Sequence, residues 1–134
     1  MLRYMLDTNI CIYTIKNNPA AVREKFQQHQ NHLCISSIVL SELLYGAEKS
    51  SQPEKSLALI EGMAARLEVL SFDEHAAAHA AEIRADLARK GTPIGHYDVL
   101  IAGHARSRGL VLVSNNLREF ERVDGLRLEN WAEG

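Results

Sequence analysis

Leu2-Arg3-Tyr4-Met5-Leu6-Asp7-Thr8-Asn9-Ile10-Cys11-Ile12-Tyr13-Thr14-Ile15-Lys16 is the stretch that decides the fold. Leu2–Leu6 reads as a short apolar strand. Thr8–Lys16 reads as a helix, stopped by Asn17-Asn18-Pro19. Asp7 stands at the junction. Open α/β sheets place ligands outside the carboxyl ends of their strands. A buried, unpaired carboxylate is costly. Asp7 therefore either caps the helix, a job Asp does well, or belongs to a site.

The same alternation continues outward. Ala20–His29 is helical, with Val22 and Phe26 on one face. Leu33–Ser36 is a second strand, and Ser36 or Ser37 caps a helix from Ile38 to about Lys49 that buries Leu40, Leu43, Leu44 and Ala47. Pro53 opens a helix with Leu57, Ile60 and Met63-Ala64 as its stripe. Leu67–Phe72 is a third strand. Asp73 caps an alanine-rich helix to about Lys90, ended by Gly91. A helix from His96 or Tyr97 to about Arg108, a strand Leu110–Val113, a helical turn at Glu119-Phe120 and a strand Leu126–Trp131 complete the chain. Strands alternating with helices imply an α/β sandwich with a central, mostly parallel sheet, its helices on both faces.

The 134 residues suit one domain spanning 1–134. The chain is 46% hydrophobic and 24% charged, with a net charge of −2, ordinary for a globular core. Nothing global announces nucleic-acid binding, although local patches decide electrostatic attraction. No segment resembles a secretory signal or a membrane span. Cys11 and Cys34 lie in apolar surroundings without CxxC spacing and read as reduced core residues. Together these features predict a cytoplasmic protein with no membrane partner.

Three acids fall near strand-to-helix junctions on one rim: Asp7, Glu42 one turn into its helix, and Asp98 near the start of another. Gathered carboxylates raise one another's pKa. A hard divalent cation, Mg²⁺ or Mn²⁺, removes that cost, and no His or Cys belongs to the cluster. Each acid also has a plain alternative: Asp7 as a cap, Glu42 as a solvated helix position, Asp98 as a partner of the helix dipole. His75 and His79 are spaced as a zinc pair, but the intervening residues are all alanine and the metalloprotease pattern is missing.

Local patterns around the acids go further. Met5-Leu6-Asp7-Thr8-Asn9-Ile10 resembles the opening motif of PIN-domain ribonucleases. Ser36-Ser37-Ile38-Val39-Leu40-Ser41-Glu42-Leu43-Leu44-Tyr45-Gly46-Ala47 resembles their second motif, and Pro93-Ile94-Gly95-His96-Tyr97-Asp98-Val99-Leu100-Ile101-Ala102 their third. Leu112-Val113-Ser114-Asn115-Asn116 with Glu119-Phe120 resembles the fourth. Order and spacing over nearly the whole chain are similar to the VapC toxins of bacterial VapBC toxin–antitoxin pairs.

The resemblance implies a PIN-like three-layer α/β/α sandwich and Mg²⁺-dependent hydrolysis of RNA phosphodiesters. Asp7, Glu42 and Asp98 would hold the metal, with Asn116 as a fourth catalytic position. Ser114, Thr8 and Asn9 would place water or phosphate. Many relatives carry an aspartate where Asn116 stands; the amide offers a carbonyl oxygen but no charge. The implied products carry 5′-phosphate and 3′-hydroxyl ends. The implied substrate is a structured RNA, with the anticodon stem-loop of initiator tRNA as the specific expectation, and cleavage would inhibit translation and growth. The implied partners are a VapB-type antitoxin that blocks the acidic groove, a second copy of the chain in a homodimer, and a larger assembly of both. Lys16, Arg84, Lys90, Arg106, Arg108, Arg118 and Arg122 are candidates for gripping the RNA backbone. The competing reading from another class is a catalytically weak PIN-like RNA-binding or scaffold module. A phosphatase of the haloacid dehalogenase type needs an acid where Asn9 stands, and a receiver domain carries its phosphoacceptor on a later strand.

Overall fold

The structure, a computed structural model, describes residues 1–132. Five short strands form one sheet: β1 (Tyr4–Leu6), β2 (Leu33–Ser36), β3 (Glu68–Leu70), β4 (Val111–Val113) and β5 (Arg127–Glu129), in the order β3-β2-β1-β4-β5. All four pairings are parallel. Seven helices intervene: α1 (Thr8–Lys16), α2 (Ala20–Gln28), α3 (Ser37–Glu48), α4 (Pro53–Ala64), α5 (Glu74–Arg89), α6 (His96–Ser107) and α7 (Leu117–Phe120). Parallel neighbours need crossovers, and right-handed crossovers in a sheet whose order reverses after β3 put α1–α4 and α5–α6 on opposite faces. The result is the expected three-layer α/β/α sandwich.

Burial explains the strands. β1, β2 and β4 are buried along their length, as fits strands covered on both faces. The core centres on Met5, Leu6, Ile10, Ile35 and Leu112, with Phe26, Phe120 and Trp131 as its largest side chains. Cys11 and Cys34 are buried free thiols. No helix among the described residues is long and apolar enough to cross a membrane.

Local chemistry sets the helix ends. Ser36 rather than Ser37 caps α3, its Oγ accepting from Ile38 N–H at 3.1 Å. Asp73 caps α5 by accepting from Ala76 N–H at 2.9 Å. Asn17 ends α1 in the left-handed region, which Asn tolerates. Several expectations need correction, among them the starts of β1, at Tyr4 rather than Leu2, and of β4, at Val111 rather than Leu110. Leu40 and Leu44 are only partly buried, and Val39 takes the core position beside Leu43 and Ala47. The edge strands are shorter than predicted, β3 spanning Glu68–Leu70 and β5 Arg127–Glu129. Each pairs on one side only, so the flanking apolar residues pack without joining the ladder.

Candidate active site

The sheet order reverses at β1, whose two sides are filled by β2 and β4. A ligand crevice forms at such a switch point, outside the carboxyl ends of the strands. Asp7 leaves β1 there and Ser114 leaves β4 beside it. The register that pairs Leu6 with Val113 makes them neighbours. The Ser114 hydroxyl donates to Asp7 Oδ2 and accepts from Asn116 N–H at 2.9 Å. Asp7 Oδ1 accepts from Ile10 N–H at 3.0 Å.

Asp7 is thus the α1 cap as well as a site residue. Thr8 is the first residue of α1, and its hydroxyl donates to Glu42 Oε1 at 2.8 Å. That bond brings α3 to α1 and sets Glu42 at the crevice. Asn9 is exposed on the first turn of α1, free to meet a ligand.

The far side of the crevice is built by α6 and α7. Asn116 Nδ2 faces Asp98 Oδ2 at 3.5 Å and donates to Glu119 Oε2 at 3.3 Å. The amide therefore turns its NH₂ toward the acids, not the carbonyl that the sequence suggested as a ligand. Glu119 is a fourth carboxylate that sequence reasoning did not assign to the site. Its signal was present: it follows Asn116 by three residues at a helix start, the spacing that stacks side chains on one face.

The charges press on one another. Burial pushes the Asp7 carboxyl above its ordinary range, against the pull of its bonds from Ser114 and Ile10, and Glu42 adds to the rise. Asp98 is pushed up to about 7, first by burial, then by its hydrogen bond with Glu119 and by the charges of Glu119, Asp7 and Glu42. Glu119 moves the opposite way, held down by that bond with Asp98 and by Asn116. Asp98 therefore keeps the proton of the pair. These four carboxylates are carried by the β1–α1 junction, α3, α6 and α7.

The donors here are oxygen atoms of carboxylates with hydroxyls beside them, the set that hard divalent cations select. The raised Asp98 carboxyl is the charge excess such a cation relieves. Among the described residues no three acidic, His or Cys side chains stand placed to hold a metal ion by themselves. The cluster suits a cation held by a few carboxylates together with phosphate or water, as Mg²⁺ commonly is.

A PIN domain family model matches residues 4–126 of this chain. The chain belongs to the PIN-domain family. Within it, the tRNA(fMet)-specific endonuclease VapC of Shigella flexneri is 62% identical over 132 residues, covering 98% of this chain and 100% of that protein. VapBC from Salmonella typhimurium, solved bound to DNA, superposes with a TM-score of 0.94 at 62% identity, covering 98% of this chain and 99% of that one. VapBC2 from Rickettsia felis, solved with a promoter DNA fragment, gives a TM-score of 0.91 at 40% identity, covering 97% and 99%. These relations place this PIN domain among the VapC ribonuclease toxins, metal-dependent nucleases.

The candidate cations for RNA divide on inspection. Lys90 is engaged by Asp86 and Asp124. Arg106 binds Glu82, His79 and the Asp124 carbonyl. These two are structural ties rather than free grips. Arg122 donates to the Pro93 carbonyl, steadying the loop before α6. Lys16 lines a cavity together with Thr8 and Glu42, next to the acids. His79, as acceptor from Arg106, is occupied in the tie and not paired with His75 for zinc.

Proposed function

We propose that the chain is a Mg²⁺-dependent endoribonuclease toxin that cuts structured RNA, with the anticodon stem-loop of initiator tRNA as its target. The observation that carries the chemistry is the convergence of Asp7, Glu42 and Asp98 with Glu119 at the β1/β4 crevice. The target rests on the initiator-tRNA specificity named for the Shigella flexneri relative. An unpaired loop suits this shallow rim, since bases splayed from single strands are read more readily than those inside RNA duplex grooves.

Asp7 and Asp98 hold the cation, with Glu42 directly or through water. When bound, Mg²⁺ (or Mn²⁺) offsets the carboxylate charge, polarises a phosphate oxygen and eases deprotonation of water. Asp7 is held by Ser114 and Ile10, so its free lone pairs face the crevice in a fixed direction. Thr8 fixes Glu42 through its hydroxyl. Asn116 offers one neutral NH₂ group to both the Asp98 and the Glu119 carboxylates. Exposed Asn9 lies at the N-terminus of α1, where backbone N–H groups favour phosphate.

The proposed partners follow the same geometry. A cavity of about 440 Å³ opens beside the acids, lined by Thr8, Ile12, Ile15, Glu42, Leu43 and Leu59. It is the seat proposed for a segment of a VapB-type antitoxin, apolar along α1 and basic where it meets Glu42. Exposed Tyr45 on α3 supports contact with a second copy, and a cytoplasmic setting suits a target that is cellular RNA.

The test is cleavage mapping on total RNA with antitoxin-free protein, with and without EDTA. New 5′ ends in the initiator tRNA anticodon loop are expected, lost with EDTA and reduced at least about a hundredfold in Asp7→Asn. Intact RNA with Mg²⁺, or equal cleavage by Asp7→Asn, sinks the reading. Ends mapped to another RNA overturn the target alone.

A further inference from the structure

We propose that His104 is a positioning residue for RNA cleavage: its bond to Ser36 ties the helix that carries Asp98 to the start of the helix that carries Glu42. The inference rests on the ribonuclease reading above.

His104 lies on α6, six residues after Asp98, a rise of about 9 Å along the axis. It is 1% exposed, an unusual place for a histidine unless its ring is used. Nδ1 sits 2.8 Å from Ser36 Oγ. That same oxygen caps α3 by accepting from Ile38 N–H. Glu42 follows on α3 six residues after Ser36. One hydroxyl therefore joins the two acid-bearing helices.

Ser36 also stands in the active-site row. The register pairs Met5 with Cys34, and two residues further it sets Ser36 level with Asp7. On the other side Ser114 is level with Asp7 and bonded to it. His104 thus anchors α6 to the strand next to the one that ends in Asp7.

The surroundings hold the ring in one pose. Phe72 meets it edge-on, with centroids 5.5 Å apart. Phe72 is itself fixed by its N–H bond to Ser37 Oγ at 3.0 Å, the residue after the cap. Nε2 is buried without a partner. A charged ring would bury an orphaned N–H at Nε2, so the ring is neutral, and Nδ1 shares one hydrogen bond with the Ser36 hydroxyl. Burial holds His104 below its ordinary pKa, with Asp73 opposing and Arg108 reinforcing the shift. A histidine kept only as core filler would not need a directional bond to a helix cap.

A loss of this tie lets α6 shift relative to α3, and displacements near 1 Å in an active site cost large factors in rate. The test uses antitoxin-free full-length protein and a synthetic stem-loop RNA carrying the cut site mapped in total RNA. The variants are His104→Leu, His104→Asn, whose amide can stand in for Nδ1, and Ser36→Gly, which caps nearly as well but lacks the hydroxyl. At saturating Mg²⁺, His104→Leu and Ser36→Gly each lower kcat about tenfold with KM unchanged. His104→Asn stays within about threefold of the parent, and the double variant is no worse than the poorer single. Parental kcat in Ser36→Gly, multiplying losses in the double variant, or equal losses in His104→Asn and His104→Leu overturn the tie. If His104→Leu does not fold, Ser36→Gly against His104→Asn decides alone. A parent that leaves the RNA intact overturns the ribonuclease reading itself, and the tie with it.

Discussion

Asn116 stands between two carboxylates, Asp98 and Glu119, and offers both the same NH₂ group. An aspartate here would add a third charge to a pair that already shares one proton. The amide lowers that repulsion and leaves Asp98 as the group that holds the shared proton until pH rises through about 7. Glu119 is therefore as much a part of the site as the acids the motifs named. Replacing Glu119 by Gln removes its charge but keeps a polar group of the same shape. The Asp98 carboxyl should then titrate well below its value of about 7 in metal-free protein. Carboxyl NMR titration of parent and Glu119→Gln measures this, and an unmoved Asp98 midpoint would show that burial, Asp7 and Glu42 set it without Glu119.

At the scale of elements, the fit between α5 and α6 depends on one missing methyl group. A Cβ at Gly103 would lie 2.6 Å from Ala80 N and 2.7 Å from Ala80 Cα, both backbone atoms that cannot swing aside. Gly46, on α3, has nothing within 4 Å of the same atom. One substitution therefore has opposite signs in two helices. Gly103→Ala should destabilise by about 1–3 kcal/mol or more through overpacking, and Gly46→Ala should stabilise by roughly 0.5–1 kcal/mol through helix propensity. Urea denaturation of both variants checks the pair, and equal shifts would refute the packing argument. The same distinction between local and tertiary causes separates what was legible in the chain. Thr8–Lys16 and Leu33–Ser36 were readable residue for residue, because stop signals and caps act within a few positions. The places of Asp7 and Asp98 at the starts of α1 and α6 were readable because their neighbours in sequence mark the junctions. The edge strands β3 and β5 were overread, since pairing on one side depends on a neighbour that no local pattern names. Glu119 and His104 were missed for a related reason. Each acts through a partner that the fold brings in, Asp98 for one and Ser36 for the other, 68 residues away in the case of His104.

The fold gathers four carboxylates, Asp7, Glu42, Asp98 and Glu119, at the point where the sheet order reverses. The metal-free fold is therefore strained by its own site, and pH reports that strain with a definite sign. In the unfolded chain Asp98 has the ordinary value of 3.8, and in the fold about 7. Between these the fold binds a proton that the unfolded chain has lost, so this contribution to stability is full below the ordinary value. It disappears as pH rises through about 7. Asp7, also raised, acts in the same direction. Carboxylates must ionise to hold a cation, and a ligand that binds only the folded state stabilises it. The gain in thermal midpoint from Mg²⁺ should therefore be small at about pH 6 and clearly larger at about pH 8. Other titrating groups contribute to the midpoint with and without Mg²⁺, so they largely cancel in the increment. Asp98→Asn should lose most of the pH dependence of the increment while keeping a folded, cooperative transition. Scanning parent and variant with Mg²⁺ or EDTA at both pH values measures it. An increment in the parent that is equal at the two pH values, or larger at the lower one, would mean that Asp98 does not hold the cation.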